Sequence, residues 1–317
     1  MKTAVVAIGG NAILRAGEKG TKEEQMHNLE SSCDHLVQLI KSGFDIVFTH
    51  GNGPQVGNIL IRNDVAQRKI PPMPLDVCVA ESQGEIGYMF QQVLGNKLAL
   101  HGIPKCVVSV VTQVVVNEND PAFKNPTKPV GPYYNEKDAE RFMKEKGWKM
   151  TDDRVRGGWR RLVPSPVPID IVEKEAIKRL VFAGKSAAII VVASGGGGIP
   201  VVRHGVHYSG VDAVIDKDLA SGVLASSIGE KLFIMLTDVS RVCLNFGKKD
   251  QRVLGTVSLS EARQYFNEGH FPPDSMGPKM EAAIGFLERG GEEVIITSPE
   301  RIIDAVNGRE GTHIKKY

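Results

Sequence analysis

The chain has 317 residues, 42% of them hydrophobic and 24% charged, with a formal net charge of +2. Such a balance can bury a sizeable core and argues against a surface built for nucleic acid or membrane. Cys33, Cys78, Cys106 and Cys243 form no C-x-x-C pair, and no apolar run approaches a signal peptide or the roughly 18 residues of a membrane span, so a cytoplasmic protein without zinc site or disulfide framework is expected.

Thr3–Ile8 reads as a buried strand, with Gly9-Gly10-Asn11 turning at its carboxyl end. A helical pattern through Leu29, Leu36, Val37 and Ile40 stops at Gly43. Phe44–Thr49 reads as a second strand, closed by Gly51-Asn52-Gly53, and Pro54 suits the first turn of the next helix. These βα units in series predict a parallel sheet covered by helices on both faces. Ligands in open α/β folds bind outside the carboxyl ends of strands. Glycine lets backbone N–H groups approach an anion there, and Asn11 and Asn52 add amide donors. Either turn alone could simply reverse the chain; two at equivalent places point to an anion site.

Val77 to Leu100 predicts a helix whose Gly84 and Gly87, beside large residues, mark a close-packed face inside the domain or against a second subunit. Cys106–Val116 is a long β-branched run, read as one central strand. Composition then shifts. Residues 117–168 hold Pro121, Pro126, Pro129, Pro132, Pro164, Pro166 and Pro168, both tryptophans, and the basic cluster Arg154, Arg156, Arg160 and Arg161. This is read as an inserted subdomain, with Lys124 and Lys128 in its proline-rich arm and the arginines as a solvated rim.

Alternation resumes with a helix at Ile169–Ala183 and a buried strand at Ala187–Ala193. Ser194 and Gly195–Gly198 follow. Without Gly-Lys-Ser/Thr they are no Walker A loop, and no G-x-G-x-x-G opens a helix after the first strand. At a strand's end the four glycines suggest close ligand approach. The stretch from Val211 then shows helical spacing at Val214, Ile215, Leu219, Val223 and Ile228. Asp212 and Asp216 suit a solvated first turn, but Asp218 points with the apolar stripe, where a carboxylate is costly unless paired. Lys217 lies at that stripe's edge. Leu232–Leu236 is a strand whose end, Thr237-Asp238-Val239, offers a polar lip for a nucleotide. Ser275-Met276-Gly277-Pro278-Lys279 opens a helix, capped by Ser275 or Gly277, with a lysine in its first turn, a natural phosphate site. Glu293–Thr297 and Thr312–Lys315 close the chain as strands.

Gly9-Gly10-Asn11, Gly51-Asn52-Gly53-Pro54-Gln55-Val56-Gly57, the glycine-rich loop, Val214-Ile215-Asp216-Lys217-Asp218, Thr237-Asp238-Val239 and Ser275–Lys279, in that order, resemble the carbamate kinases of the amino-acid-kinase superfamily. The resemblance covers essentially the whole length, including Asn125-Pro126-Thr127-Lys128-Pro129-Val130-Gly131 of the insert. It implies a three-layer αβα sandwich with a mostly parallel eight-stranded sheet, one domain over 1–317 with a small protruding lid at about 117–168, and a homodimer. It implies reversible phosphoryl transfer between ATP and carbamate, giving ADP and carbamoyl phosphate, with magnesium held largely by phosphate oxygens. Lys128, Lys217 and Lys279 would offset charge, with Asp218 holding the lysines in place. Gly9, Gly10, Asn11, Gly51, Asn52 and Gly53 would hold carbamate and the phosphoryl group. Thr237, Asp238, Val239, Ser275, Met276 and Gly277 would line the nucleotide site.

Superfamily relatives such as the acetylglutamate kinases carry a lysine just before the first glycines. Here that strand reads Val6-Ala7-Ile8-Gly9-Gly10, and with Lys128 present this favours carbamate. Two other readings stay open at this point: a kinase of another small carboxylic acid, and a non-catalytic sensor of nucleotide or carbamoyl phosphate. The direction also stays open, since ATP synthesis in arginine catabolism and carbamoyl phosphate synthesis would use the same site.

Overall fold

The computed structural model describes residues 2–15, 17–153, 157–182, 189–273 and 275–317, with the side chains of Asn11 and Pro132 left aside. In chain order it runs β1 (Lys2–Ile8), α1 (Lys22–Lys41), β2 (Phe44–His50), α2 (Gly53–Ala66), α3 (Leu75–Leu100) and β3 (Cys106–Ser109). The insert contains α4 (Glu136–Lys146). After it come α5 (Lys174–Phe182), β4 (Ile189–Val192), α6 (Lys217–Ile228), β5 (Leu232–Leu236), β6 (Thr256–Ser258), α7 (Leu259–Asn267), α8 (Met276–Glu288), β7 (Glu293–Thr297), α9 (Ile302–Val306) and β8 (Thr312–Lys315).

These eight strands form one sheet in the order β6-β8-β7-β5-β1-β2-β4-β3. Every pairing is parallel except β7 with β8, so six strands run one way and two return. The two-residue period of β1 shows why the sheet is covered on both faces. Val5 and Ala7 pack into the core layer containing α6 and α8. Ala4, Val6 and Ile8 pack into the layer containing α1 and α3. Each fully buried aliphatic side chain contributes about 1.5–3 kcal/mol, so a strand apolar on both faces anchors the centre. The expected three-layer αβα sandwich is what forms.

Three expected elements differ. The run Cys106–Val116 is not one central strand. β3 sits at the sheet's edge, and Gln113–Val116 joins a separate four-stranded sheet with Pro168–Ile171, Ile199–His204 and His207–Gly210. A buried polar residue makes the break. Thr112 gives its N–H to Gln83 Oε1 at 2.8 Å and its hydroxyl to the Val110 carbonyl at 2.7 Å. Ile169–Ala183 likewise starts as a strand, because Ile171, Asp170 and Pro168 pair with Val114–Val116; the helix is confined to Lys174–Phe182. Finally, α6 starts at Lys217 rather than at Val211, because Asp216 caps it by accepting the Asp218 N–H at 2.9 Å. Ala183, Ala187, Ala188, Arg154 and Arg156 lie outside the described residues.

Within the insert, Lys128–Tyr134, Lys149–Asp153 and Gly158–Val163 form an antiparallel three-stranded sheet. It has a small aromatic centre of its own, with Phe142 5.0 Å from Tyr134 and 4.9 Å from Trp148, ring centre to ring centre. The insert rests on α2, where a Cβ added to Gly57 would stand 3.7 Å from Gly131 Cα.

Candidate active site

Parallel neighbours with level ends bring distant turns together. Ile8 pairs with His50 across β1 and β2, and Ala7 pairs with Met235 across β1 and β5. Their continuations, Gly9–Gly10, Gly51–Gly53 and Thr237–Val239, therefore open side by side onto a cleft of about 560 Å³. Gly51 is the closest junction. A Cβ there would lie 3.1 Å from Gly10 N and 3.5 Å from Lys217 Cδ, so a side chain would push the two turns and the lysine apart.

Lys217, Asp218 and Lys279 form the floor. Asp218 is 4% exposed. Its Oδ1 accepts from Lys217 Nζ and its Oδ2 from Lys279 Nζ, both at 2.6 Å. Burial raises the Asp218 carboxyl, but the two ammonium groups outweigh it and hold it below the usual carboxylate range. Lys279 is lowered, first by burial and then by the like charge of Lys217, while Asp218 pulls it back up. The first turn of α6 is tied to β2 beneath the cleft. Ser221 Oγ donates to the Lys217 carbonyl at 2.5 Å and shares a 2.6 Å bond with Thr49 Oγ1. A buried charge on this scaffold is paired on both oxygens, as its desolvation requires.

Lys128 reaches in from the insert, with Nζ 3.1 Å from Asp216 Oδ2. Thr237, Asp238, Val239, Ser275 and Met276 also line the cleft, as do Gly9, Gly10, Gly51, Asn52 and Gly53. The first N–H groups of α2, at Gly53 and Gln55, have no partner within the helix.

Several expected donors are engaged elsewhere. Gly277 does not line the cleft; it is buried behind it, giving its N–H to the Pro272 carbonyl at 2.7 Å. Ser275 precedes α8 without a side-chain cap bond. The Gly51 N–H goes to the Ile8 carbonyl at 3.2 Å, which extends the sheet by one bond. Asn52 gives one amide hydrogen to Ser82 Oγ at 2.8 Å, so its side chain holds the turn. Asn11 sits in the short 3₁₀ turn Gly10–Ala12, and its side chain lies outside the described residues.

The glycine-rich loop also has another use. A Cβ at Gly195, Gly196, Gly197 or Gly198 would collide with His50, Asn52, Ile215 or Val114 respectively, and the last three glycines have positive φ. These glycines admit neighbouring protein, and among them only Gly196 reaches the cleft wall. Ser194 before them is itself left-handed, at φ 52°. His50 stacks on Phe90 and donates from Nδ1 to the Gly51 carbonyl at 3.0 Å. Burial pushes it down to about 4, with Lys217 adding to the effect against the Gly51 bond, so it is a neutral prop near neutrality. Sequence reasoning passed over His50, Arg241, Phe246 and the cleft-lining Arg160 and Cys243. His50 closes β2 directly before the Gly51 turn, which could have drawn notice to it; nothing local signalled Phe246.

Two lysines on one carboxylate, with glycine turns and free helix N–H groups beside them, suit a polyanion and a charge that moves between oxygens. Among the described residues no group of three or more His, Cys, Asp or Glu side chains could hold a metal ion.

The sequence model described as the amino acid kinase family matches residues 2–298. Carbamate kinase of Thermococcus kodakarensis is 49% identical over 317 residues, 99% of each chain. Carbamate kinase of Pyrococcus furiosus is 48% identical over 315 residues, again 99% of each. The solved carbamate kinase of Giardia lamblia bound to AMP-PNP superposes with a TM-score of 0.93 at 44% identity, covering 99% of this chain and 98% of that one.

Proposed function

The chain belongs to the amino acid kinase family and, within it, to the carbamate kinases, and from that premise we propose how its cleft moves a phosphoryl group between ATP and carbamate. Carbamate is already an anion with a nucleophilic oxygen, so no general base is required. Its oxygen bonds to the γ-phosphorus as the bond to the ADP oxygen breaks, and negative charge grows on the oxygens around phosphorus and on the leaving group. Lys217 and Lys279 offset that charge. Asp218 sets their separation and favours their protonated forms. Lys128 adds a third cation from the insert, which acts as the lid. Gly10 and Gly53 hold the acceptor end through N–H groups, and Thr237, Val239 and Met276 the nucleotide.

The observation that carries this reading is the pair of 2.6 Å contacts from two lysines to one buried carboxylate in the wall of the cleft. A preorganised array of this kind costs no rearrangement when the charge moves.

Magnesium belongs to the same reading and would be held largely by the oxygens of the nucleotide phosphates. Asp216 and Asp218 are already paired with lysines, and magnesium commonly takes one or two carboxylates at most beside phosphates. When bound, it neutralises phosphate charge. A homodimer through the outer face of α3 is part of the proposal. Gly87 packs inward on Ser109, whereas Gly84 meets open space, with Val77 and Tyr88 exposed on the same face. A cytoplasmic setting and a place in arginine metabolism rest on the family reading. No helix of the described residues is long and apolar enough to cross a membrane.

The test is an assay in the ATP-forming direction. Purified protein with ADP, magnesium and carbamoyl phosphate makes ATP, whereas acetylglutamate or aspartate with ATP gives no ADP above background. Phosphorylation of one of those acids with no ATP from carbamoyl phosphate would overturn the choice of acceptor.

A further inference from the structure

Arg160 and Arg161 are neighbours on the strand Gly158–Val163, and strand alternation sends them to opposite faces. Arg161 is neutralised. It pairs with Asp212 and lies over Trp148, 4.4 Å from the ring centre. Arg160 lines the active cleft. Among the described residues no carboxylate pairs with it. It lies over Tyr133 at 5.3 Å. Its acceptors are the Pro129 and Gly131 carbonyls, at 3.4 and 3.3 Å from Nη2, and its Nε is buried with no partner. Five N–H donors served by two long bonds leave a cation that is positioned but not satisfied. Lys128, on the paired strand, is already committed to Asp216.

We propose that Arg160 is a substrate-binding residue whose guanidinium takes the anionic acceptor, carbamate or carbamoyl phosphate, from the lid side. The inference rests on the carbamate kinase reading and names the residue that selects the acceptor in it. Its place in the cleft identifies the anion. Gly131, which Arg160 contacts, rests against Gly57 and Leu60 of α2, and the first turn of α2 borders the acceptor end. The nucleotide-side residues Thr237, Arg241 and Met276 come from beyond β1 on the other flank of the sheet. A planar fork of donors matches two oxygens of one carboxylate or phosphate, which an ammonium group cannot do.

The experiment is steady-state kinetics of the whole enzyme in the ATP-forming direction with Arg160→Ala, Arg160→Gln and Arg160→Lys. Arg160→Ala raises KM for carbamoyl phosphate about 10- to 100-fold, the loss of a charge-assisted bond. KM for ADP stays within about twofold, and Lys restores only part of the loss because it lacks the fork. An unchanged KM for carbamoyl phosphate overturns the proposal, and so does a KM for ADP that rises in step. Gln keeps a donor for the two carbonyls without the charge, so it carries the test if Ala melts early. Should the wild-type protein make no ATP from carbamoyl phosphate, the carbamate reading fails on its own. Arg160 is then judged by the rise in melting temperature with inorganic phosphate. A rise lost in Arg160→Gln supports an anion site, and a rise retained overturns it.

Discussion

Asp216 and Asp218 stand two residues apart at the start of one helix, the first holding one lysine of the cleft and the second two, yet they are built for opposite purposes. The Asp218 cluster is closed. Its carboxylate is 6% exposed and its lysines 15% and 12%, with both contacts at 2.6 Å. The Asp216 contact is open on its lysine side, with Lys128 43% exposed against 15% for Asp216, and 3.1 Å away. Asp216 has a second task as the cap of α6, so it stays in place whether or not Lys128 is there. In the proposed mechanism the buried cluster therefore fixes charge where the reaction needs it. In the same proposed mechanism the exposed pair is a latch between the main body and the insert. A half-exposed pair of this sort contributes at most about 1 kcal/mol, which lets a substrate anion compete for the lysine.

The largest effects come from the closed cluster. Lys217→Ala and Lys279→Ala each lower kcat about 10²- to 10³-fold with little change in KM for ATP, because the charge they meet develops in the transition state. Asp218→Asn keeps the shape, removes the shared charge and also costs at least about 10²-fold. Turnover within a few-fold of wild type in any of the three would remove that residue from the mechanism. Lys128→Ala comes next, at about tenfold in kcat/KM, with a melting temperature close to wild type. Hydrogen exchange read on 128–134 and 158–163 slows when nucleotide and anion bind to wild type, and that slowing is reduced in the variant. If exchange responds identically in both, the latch is no latch.

A third and smaller effect separates the two regions by pH. Burial and Lys217 lower Lys279, so its charge is lost as pH rises through a value below the 10.5 of a free lysine, and kcat falls there. In Asp218→Asn the opposing carboxylate is gone, and the basic limb moves closer to neutrality. A pH profile of the two enzymes checks this; coincident basic limbs would contradict it. At the acid end the sign reverses. Asp218 is depressed, so its contribution to stability is complete above about 4 and is lost only as pH falls through its lower folded value.

Much of this contrast could be read in the chain before any coordinates. Asp218 stood out because helical spacing turned a carboxylate into an apolar stripe, and it is buried and doubly paired. Lys279 followed from its place in the first turn of a helix. Burial of β1 followed from its short apolar run, and β5 and β7 were legible as strands. Other features depend on contacts between distant segments. The run Cys106–Val116 gives no sign of where it leaves the sheet, since Gln83, far away in sequence, decides it. Arg160 and Arg161 look alike as a basic pair; only strand alternation and a carboxylate at Asp212 separate them. The glycines after Ser194 were legible as a close approach, but the partner proved to be protein.

That glycine loop has a consequence for what the cleft can become. Its four missing side chains are the room that His50, Asn52, Ile215 and Val114 occupy, so any added carbon there meets a different neighbour. A larger or differently shaped acceptor cannot be admitted by carving this wall, because every change displaces a piece of the sheet or of a turn. The insert above is joined to the main body by side-chain packing, with Val130 and Val163 in one buried cluster with Val56 and Ile59 of α2, Leu75 and Val79 of α3 and Val214, and by ion pairs at Lys128, Lys146 and Arg161. New acceptor preferences in a chain built like this one would enter through the roof, while the floor stays the same.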